Sequence, residues 1–173
     1  AQERRQDFGI RVSGDFDQIY AGDELRLKQI LLNVLSNAHK YTPDGGRVLM
    51  EVFSNPAANG ITMMKFAVSD NGAGIEPEYL EKIFEPFCQG SNASGSTGSG
   101  LGLAITQNLV HLMNGSITVS STYGKGSCFT VELPLKRVEG AGFPAKNTQV
   151  VGDRDLRILL VDDDAAVCEH ASI

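Results

Sequence analysis

Apolar residues recur along this chain in two rhythms, and the switches between them outline its elements. Residues 9–13 (GIRVS) and 18–21 (QIYA) are short β-type runs. From 23 to 41 the apolar spacing turns helical. Asp23 is placed as its N-cap, and the TPDGG stretch at 42–46 ends it through Pro43 and two glycines. Residues 47–54 and 61–69 alternate as strands, with NPAANG as their turn. Residues 77–83 predict a short helix with proline in its first turn. Residues 88–100 (CQGSNASGSTGSG) predict a loop. A helix follows over 101–113, stopped by Asn114-Gly115, and a hairpin over 116–122 and 127–133. Strands and helices in this mixed order, with adjacent hairpins, predict an α/β (α+β) two-layer sandwich of a mixed β-sheet packed against helices.

Past Pro134 the periodicity fades, so residues 137–154 are expected to be a linker after a domain at 1–136. Residues 155–173 then begin a second apolar strand, ending in the acids of RILLVDDD. With 173 residues and 42% hydrophobic positions, one full domain and part of another are expected. The net charge of −6 carries no block of like charges, which excludes non-specific nucleic-acid binding as an expectation. Cys88, Cys128 and Cys168 match no zinc spacing and suggest a reducing, cytoplasmic setting. No run is apolar enough to span a membrane. The opening AQERRQDF reads as mid-protein, which leaves an upstream membrane anchor open.

Three stretches carry candidate chemistry. On the long helix, Leu27, Leu31, Val34, Leu35 and Ala38 share one face, while Arg26, Gln29, Asn33, Asn37 and Lys40 share the other. Such a stripe is usually a solvated face. Asparagine is nevertheless a poor helix former, and its amide oxygen suits a hard cation such as Mg²⁺. In ITMMKFAVSD, the two-residue period puts Asp70 on the side of Met64, Phe66 and Val68. A carboxylate there needs a strong donor, such as an adenine's exocyclic amine. Gly72 and Gly74 would then clear room for a flat base. An ordinary turn in which Asp70 binds local amides explains the string as well. In TGSGLGLAI, Gly98, Gly100 and Gly102 open a helix whose N–H groups suit phosphate. No Gly-Lys-Ser/Thr follows, and no strand precedes, so neither a Walker loop nor a dinucleotide fingerprint fits.

In order, these stretches resemble the four boxes of the catalytic ATP-binding domain of bacterial sensor histidine kinases, related to gyrase B, Hsp90 and MutL. LKQILLNVLSNAHKYTPDGG is similar to the N box, DNGAGI to the G1 box, IFEPF to the F box and GSGLGLAI to the G2 box. The segment MNGSITVSSTYGKGSCFTVELP resembles the closing strands, and the likeness covers roughly residues 9–135. It implies ATP and Mg²⁺ as cofactors. It makes Asn37 a Mg²⁺ ligand, with Asn33 assisting at the metal or the phosphates. Lys40 is implied at the phosphates, and Tyr41 near the base or ribose. Asp70 is implied as the adenine-reading acid, with Gly72, Gly74 and Ile75 shaping the pocket. Phe84 and Phe87 would anchor a lid. Gly98, Gly100, Leu101, Gly102 and Leu103 would line the triphosphate, and Thr130 would support the adenine site. Three departures stand out: Gly126-Ser127-Cys128-Phe129 for Gly-Thr-x-Phe, Thr97-Gly98-Ser99-Gly100 for Gly-Gly-Thr-Gly, and a lid without Lys or Arg. The tail resembles the first strand of a receiver domain, with Asp162 and Asp163 as its metal-binding acids, as in a hybrid kinase.

The resemblance implies γ-phosphoryl transfer to a histidine on a dimerisation domain, with Asn33 and Lys40 as the catalytic pair. His39, His111 and His170 lie outside the sequence context of such an acceptor. The acceptor domain is therefore expected as a partner, alongside the receiver, and this chain as a monomer. A gyrase- or Hsp90-like ATPase would carry Glu at position 33 to activate water. A pseudokinase that binds nucleotide with little transfer is the other alternative, favoured by the uncharged lid.

Overall fold

The structure, a computed structural model, describes residues 5–14, 16, 19–88 and 99–138. The expected linker beyond 138, the receiver strand with Asp162 and Asp163, and nearly all of the 88–100 loop, Gly98 included, lie outside them. The described chain runs β1 (Asp7–Ser13), β2 (Ile19–Ala21), α1 (Glu24–Tyr41), β3 (Arg47–Pro56), β4 (Ile61–Asp70), α2 (Pro77–Leu80), α3 (Gly102–Leu112), β5 (Ser116–Thr122) and β6 (Gly126–Val138).

The strands form one mixed sheet in the order β1-β3-β4-β6. The far edge of β6 is shared end to end by β2, against 136–138, and β5, against 126–132. Among the described strands, only the β1–β3 pairing is parallel. The alternation expected of β4 holds: Met64, Phe66 and Val68 face the helices and are buried. Opposite them Phe129, Val131, Leu133 and Leu135 of β6 join Val48 and Met50 of β3, against Ile30, Val34 and Ala38 of α1 and Val110 of α3. Each fully buried side chain of this size contributes about 1.5–3 kcal/mol, so this layer is the main source of stability.

Several details differ from the sequence reading. β6 runs five residues past 133, through Val138, because β2 pairs with its end. α2 stops at Leu80 and continues as tight turns, with Lys82 N–H on the Tyr79 carbonyl and Glu85 N–H on the Lys82 carbonyl. Pro86 disfavours helix at Glu85, so the turns do not run on into a longer helix. α3 spans 102–112, one residue shorter at each end. In α1, Ile30 is completely buried, although it fell between the two faces assigned from sequence. The exposed side is carried by Leu25, Lys28, Leu32, Ser36 and His39. The stripe Arg26–Asn33–Asn37–Lys40 is half-buried. Apart from Gln29, which is exposed, this stripe flanks the core stripe, and Asn33 within it bonds to α3.

Candidate active site

Asp70 ends β4 and is paired in register with Ser127, the second residue of β6. Its Oδ1 accepts the Gly72 N–H at 2.8 Å, and the Ser127 N–H also donates to the carboxylate. Burial nevertheless dominates and pushes the carboxyl above the ordinary aspartate range, with the two N–H donors pulling the other way. The sequence places Asp70 on the apolar side of its strand, and the structure agrees.

The turn after Asp70 is fastened on three sides. Asn71 joins β3, its Oδ1 accepting the Arg47 N–H at 2.7 Å and its own N–H reaching the Arg47 carbonyl at 3.2 Å. Ala73 N–H donates to the Tyr41 carbonyl at the end of α1, at 3.2 Å. Gly124 N–H donates to the Ala73 carbonyl at 2.7 Å, and Ile75 N–H to Ser121 Oγ at 2.9 Å. The two glycines answer to this fastening before any ligand. A Cβ on Gly72 would stand 2.3 Å from the Tyr41 carbonyl oxygen. Gly74 has φ +68°, and its Cβ would stand 2.2 Å from the Thr122 carbonyl oxygen. Beside this turn lies an open depression of about 550 Å³, lined by Lys40, Tyr41, Thr42, Pro43, Asp44, Asn71, Gly72, Ala73 and Gly124. The Lys40 ammonium sits 5.1 Å from the centre of the Tyr41 ring.

Across from the turn, α1 meets the start of α3. Asn33 Nδ2 donates to the Gly102 carbonyl at 3.3 Å and to Thr106 Oγ1 at 3.2 Å. Asn37 lies one turn further along α1 and is half-buried. Leu101 occupies the N-cap position of α3, where its side chain offers no acceptor. The first-turn N–H groups of α3 are thereby left without a side-chain cap, the usual state of an anion-binding helix start. Gly102 has open space where a Cβ would be. Gly100 has φ +69° and lies against Phe87, whose N–H donates to its carbonyl at 3.0 Å. Phe87 itself has φ +64° and is 73% exposed, while Phe84 packs on the core.

Two expected site residues sit elsewhere. Thr130 points to the face away from the helices: Phe129 and Val131 on either side are buried in the core, and strand alternation turns Thr130 out beside Cys128. The residue that supports Asp70 is Ser127, whose N–H reaches the carboxylate and whose Oγ is 3.0 Å from Ser121 Oγ. Leu103 packs its side chain against the core, so only its backbone faces the helix start. Nothing in the sequence marks Ser121 or Thr106, and Ser127 stands out there only as a departure from Gly-Thr-x-Phe. Only the register of β5, β6 and α3 brings them to the site. Among the described residues, no three His, Cys, Asp or Glu side chains converge as a metal site. No described helix is long and apolar enough to cross a membrane.

Residues 22–137 match the family described as histidine kinase-, DNA gyrase B- and HSP90-like ATPase. The autoinducer 2 sensor kinase/phosphatase LuxQ of Vibrio cholerae is 38% identical over 84% of this chain and 18% of its own length. The Escherichia coli sensor protein TorS is 37% identical over 88% of this chain and 16% of its length. The Pseudomonas aeruginosa sensor histidine kinase AruS is 39% identical over 84% and 14%. The chain thus spans less than a fifth of each of these relatives. Among solved structures, the mycobacterial sensor histidine kinase MprB superposes with a TM-score of 0.64 at 28% identity, covering 78% of this chain and 86% of MprB. Full-length ShkA in complex with AMPPNP superposes at 0.63 with 34% identity, covering 77% of this chain and 26% of ShkA. The chain belongs to the histidine kinase-, DNA gyrase B- and HSP90-like ATPase family, and within it is a nucleotide-binding catalytic domain of the sensor-histidine-kinase kind.

Proposed function

We propose that this chain binds Mg²⁺-ATP and presents its γ-phosphoryl group to a histidine on a helical dimerisation domain. The observation that carries the reading is Asp70, a half-buried carboxylate at the mouth of the sheet, held by two backbone N–H groups and destabilised by burial. An exocyclic amine is the donor that would offset that burial, and Gly72 N–H beside it fixes the carboxylate's direction. Lys40 and Tyr41 border the depression next to this turn, where a ribose and phosphates would extend. The uncapped start of α3 offers N–H groups to the phosphates from the other side. Asn37 supplies an amide oxygen to the cation, with Asn33 beside it. Bound Mg²⁺ would screen charge on the phosphates, which fits a site whose described residues gather no carboxylate cage.

The relatives are multidomain sensor kinases, and ShkA was seen with AMPPNP, which supports the same chemistry here. Asp162 and Asp163 belong in this proposal to the metal-binding pair of a receiver domain, and the catalytic domain works on the cytoplasmic side. The test supplies the chain with Mg²⁺-ATP and the dimerisation hairpin of its own parent protein, and follows acid-labile, base-stable phosphohistidine. Transfer that is lost in Asp70→Asn along with ATP affinity is the expected result. Tight ATP binding without transfer to that hairpin would overturn the kinase reading in favour of a silent binder.

A further inference from the structure

Thr106 is completely buried in α3, where the helical pattern alone calls for nothing polar. A hydroxyl in such a place costs about 1–3 kcal/mol if left without partners. Its proton goes to the Gly102 carbonyl one turn earlier, at 2.8 Å. Its lone pairs receive Asn33 Nδ2 at 3.2 Å, and the same nitrogen is 3.3 Å from the Gly102 carbonyl oxygen. The carbonyl is an acceptor only, and the hydroxyl has already donated its one proton. Both groups demand a donor from Asn33, and both would repel its oxygen. The amide is therefore held with its NH₂ end against α3 and its oxygen turned away from that helix.

The orientation decides what Asn33 can do. An outward NH₂ would serve phosphate oxygens, whereas an outward oxygen serves a hard cation or the water around it. We propose that Thr106 is a positioning residue that locks Asn33 with its oxygen toward the cation, and so assigns Asn33 to the metal rather than to the phosphates. This rests on the reading of Asn33 as part of the Mg²⁺-ATP site.

The first test needs no nucleotide. In the nitrogen-15-labelled chain, both Asn33 side-chain amide protons should show contacts to the Thr106 methyl group and slow exchange with water. Thr106→Val, which leaves the amide only one of its two acceptors on α3, should speed that exchange, and Thr106→Ser, which keeps the hydroxyl, should keep it slow. The second test compares ATP affinity with Mg²⁺ and with chelator. Thr106→Val should cut the gain conferred by Mg²⁺ about tenfold, the loss typical when a group orienting a metal ligand is removed, and leave metal-free ATP binding within about twofold. An Asn33 amide without contacts to Thr106 in the unsubstituted chain overturns the proposal, whether or not the valine variant folds. So does an equal loss with and without Mg²⁺. Asn33→Ala separates the two ideas. If it leaves the Mg²⁺ gain intact, the reading of Asn33 fails. If it removes the gain and Thr106→Val does not, the positioning role alone fails.

Discussion

Asp70 shows how a single residue can hold stability and function in opposition. Its carboxyl is raised by burial, so the native state holds that proton more tightly than the unfolded chain does. The burial penalty is therefore fully present at neutral pH. It is relieved as pH falls through the raised native value. Asp70→Asn should resist urea better than the parent at neutral pH, with an advantage that shrinks toward acid. A pH series of urea midpoints checks this, and a constant difference would contradict it. The same variant should bind ATP roughly tenfold or more weakly, since a bond to a charged acceptor is lost. Gly74 carries a purely conformational demand. With φ +68° and the Thr122 carbonyl 2.2 Å from any Cβ, Gly74→Ala should destabilise the domain by more than about 1 kcal/mol, read by thermal or urea unfolding. The sequence called for glycine at both positions, but for the clearance of a base. Contacts of the turn with Tyr41 and Thr122 are the nearer reason.

At the scale of elements, α1 is secured at both ends. Asp23 Oδ1 accepts the Arg26 N–H at 3.0 Å, as its place before the apolar run implied. At the other end Thr42 Oγ1 donates to the Ala38 carbonyl at 2.7 Å. Gln6, ahead of β1, sends its Nε2 to the carbonyls of His39 and Thr42, at 3.0 and 2.6 Å. Gln6 is distant in sequence and has no motif, so nothing in the pattern marks it as part of the helix terminus. Yet the segment entering the domain thereby grips the same last turn whose Tyr41 carbonyl holds Ala73 beside Asp70. Asp23→Ala should cost about 1 kcal/mol of stability with little change in ATP affinity, because the cap lies far along the helix from Lys40 and Tyr41. Gln6→Ala should cost a similar amount by loss of its bonds, and should also speed hydrogen exchange at Ala73. Unchanged exchange there would show that the entry segment and the turn are independent.

For the whole molecule, the identity of residue 33 sets the expected pace of catalysis. An asparagine amide does not ionise near neutral pH and cannot serve as the base that activates water. Here its nitrogen is further tied to α3. Steady-state ATP hydrolysis by the chain alone should therefore be slow, well below the roughly 1 s⁻¹ lower end of typical enzyme turnover. Turnover above that level, abolished by Asn33→Ala, would place the chain with the hydrolysing branch of its family. Much of the architecture could be read directly from the chain. Hydrophobic periodicity, the Asp23 cap and the Asn114 stop are local signals, and they located α1, α3 and the strands to within a few residues. The ordered boxes around Asn37, Asp70 and Gly100 pointed to the nucleotide, because each depends on residue types at short spacing. Pairings between distant segments left no such trace. The exchange of Thr130 for Ser127 at Asp70, the burial of Ile30, the extension of β6 by β2 and the pinning of Asn33 by Thr106 all follow from strand register and from how α1 lies on α3. A period can say which residues share a face, but what that face meets depends on contacts between segments tens of residues apart.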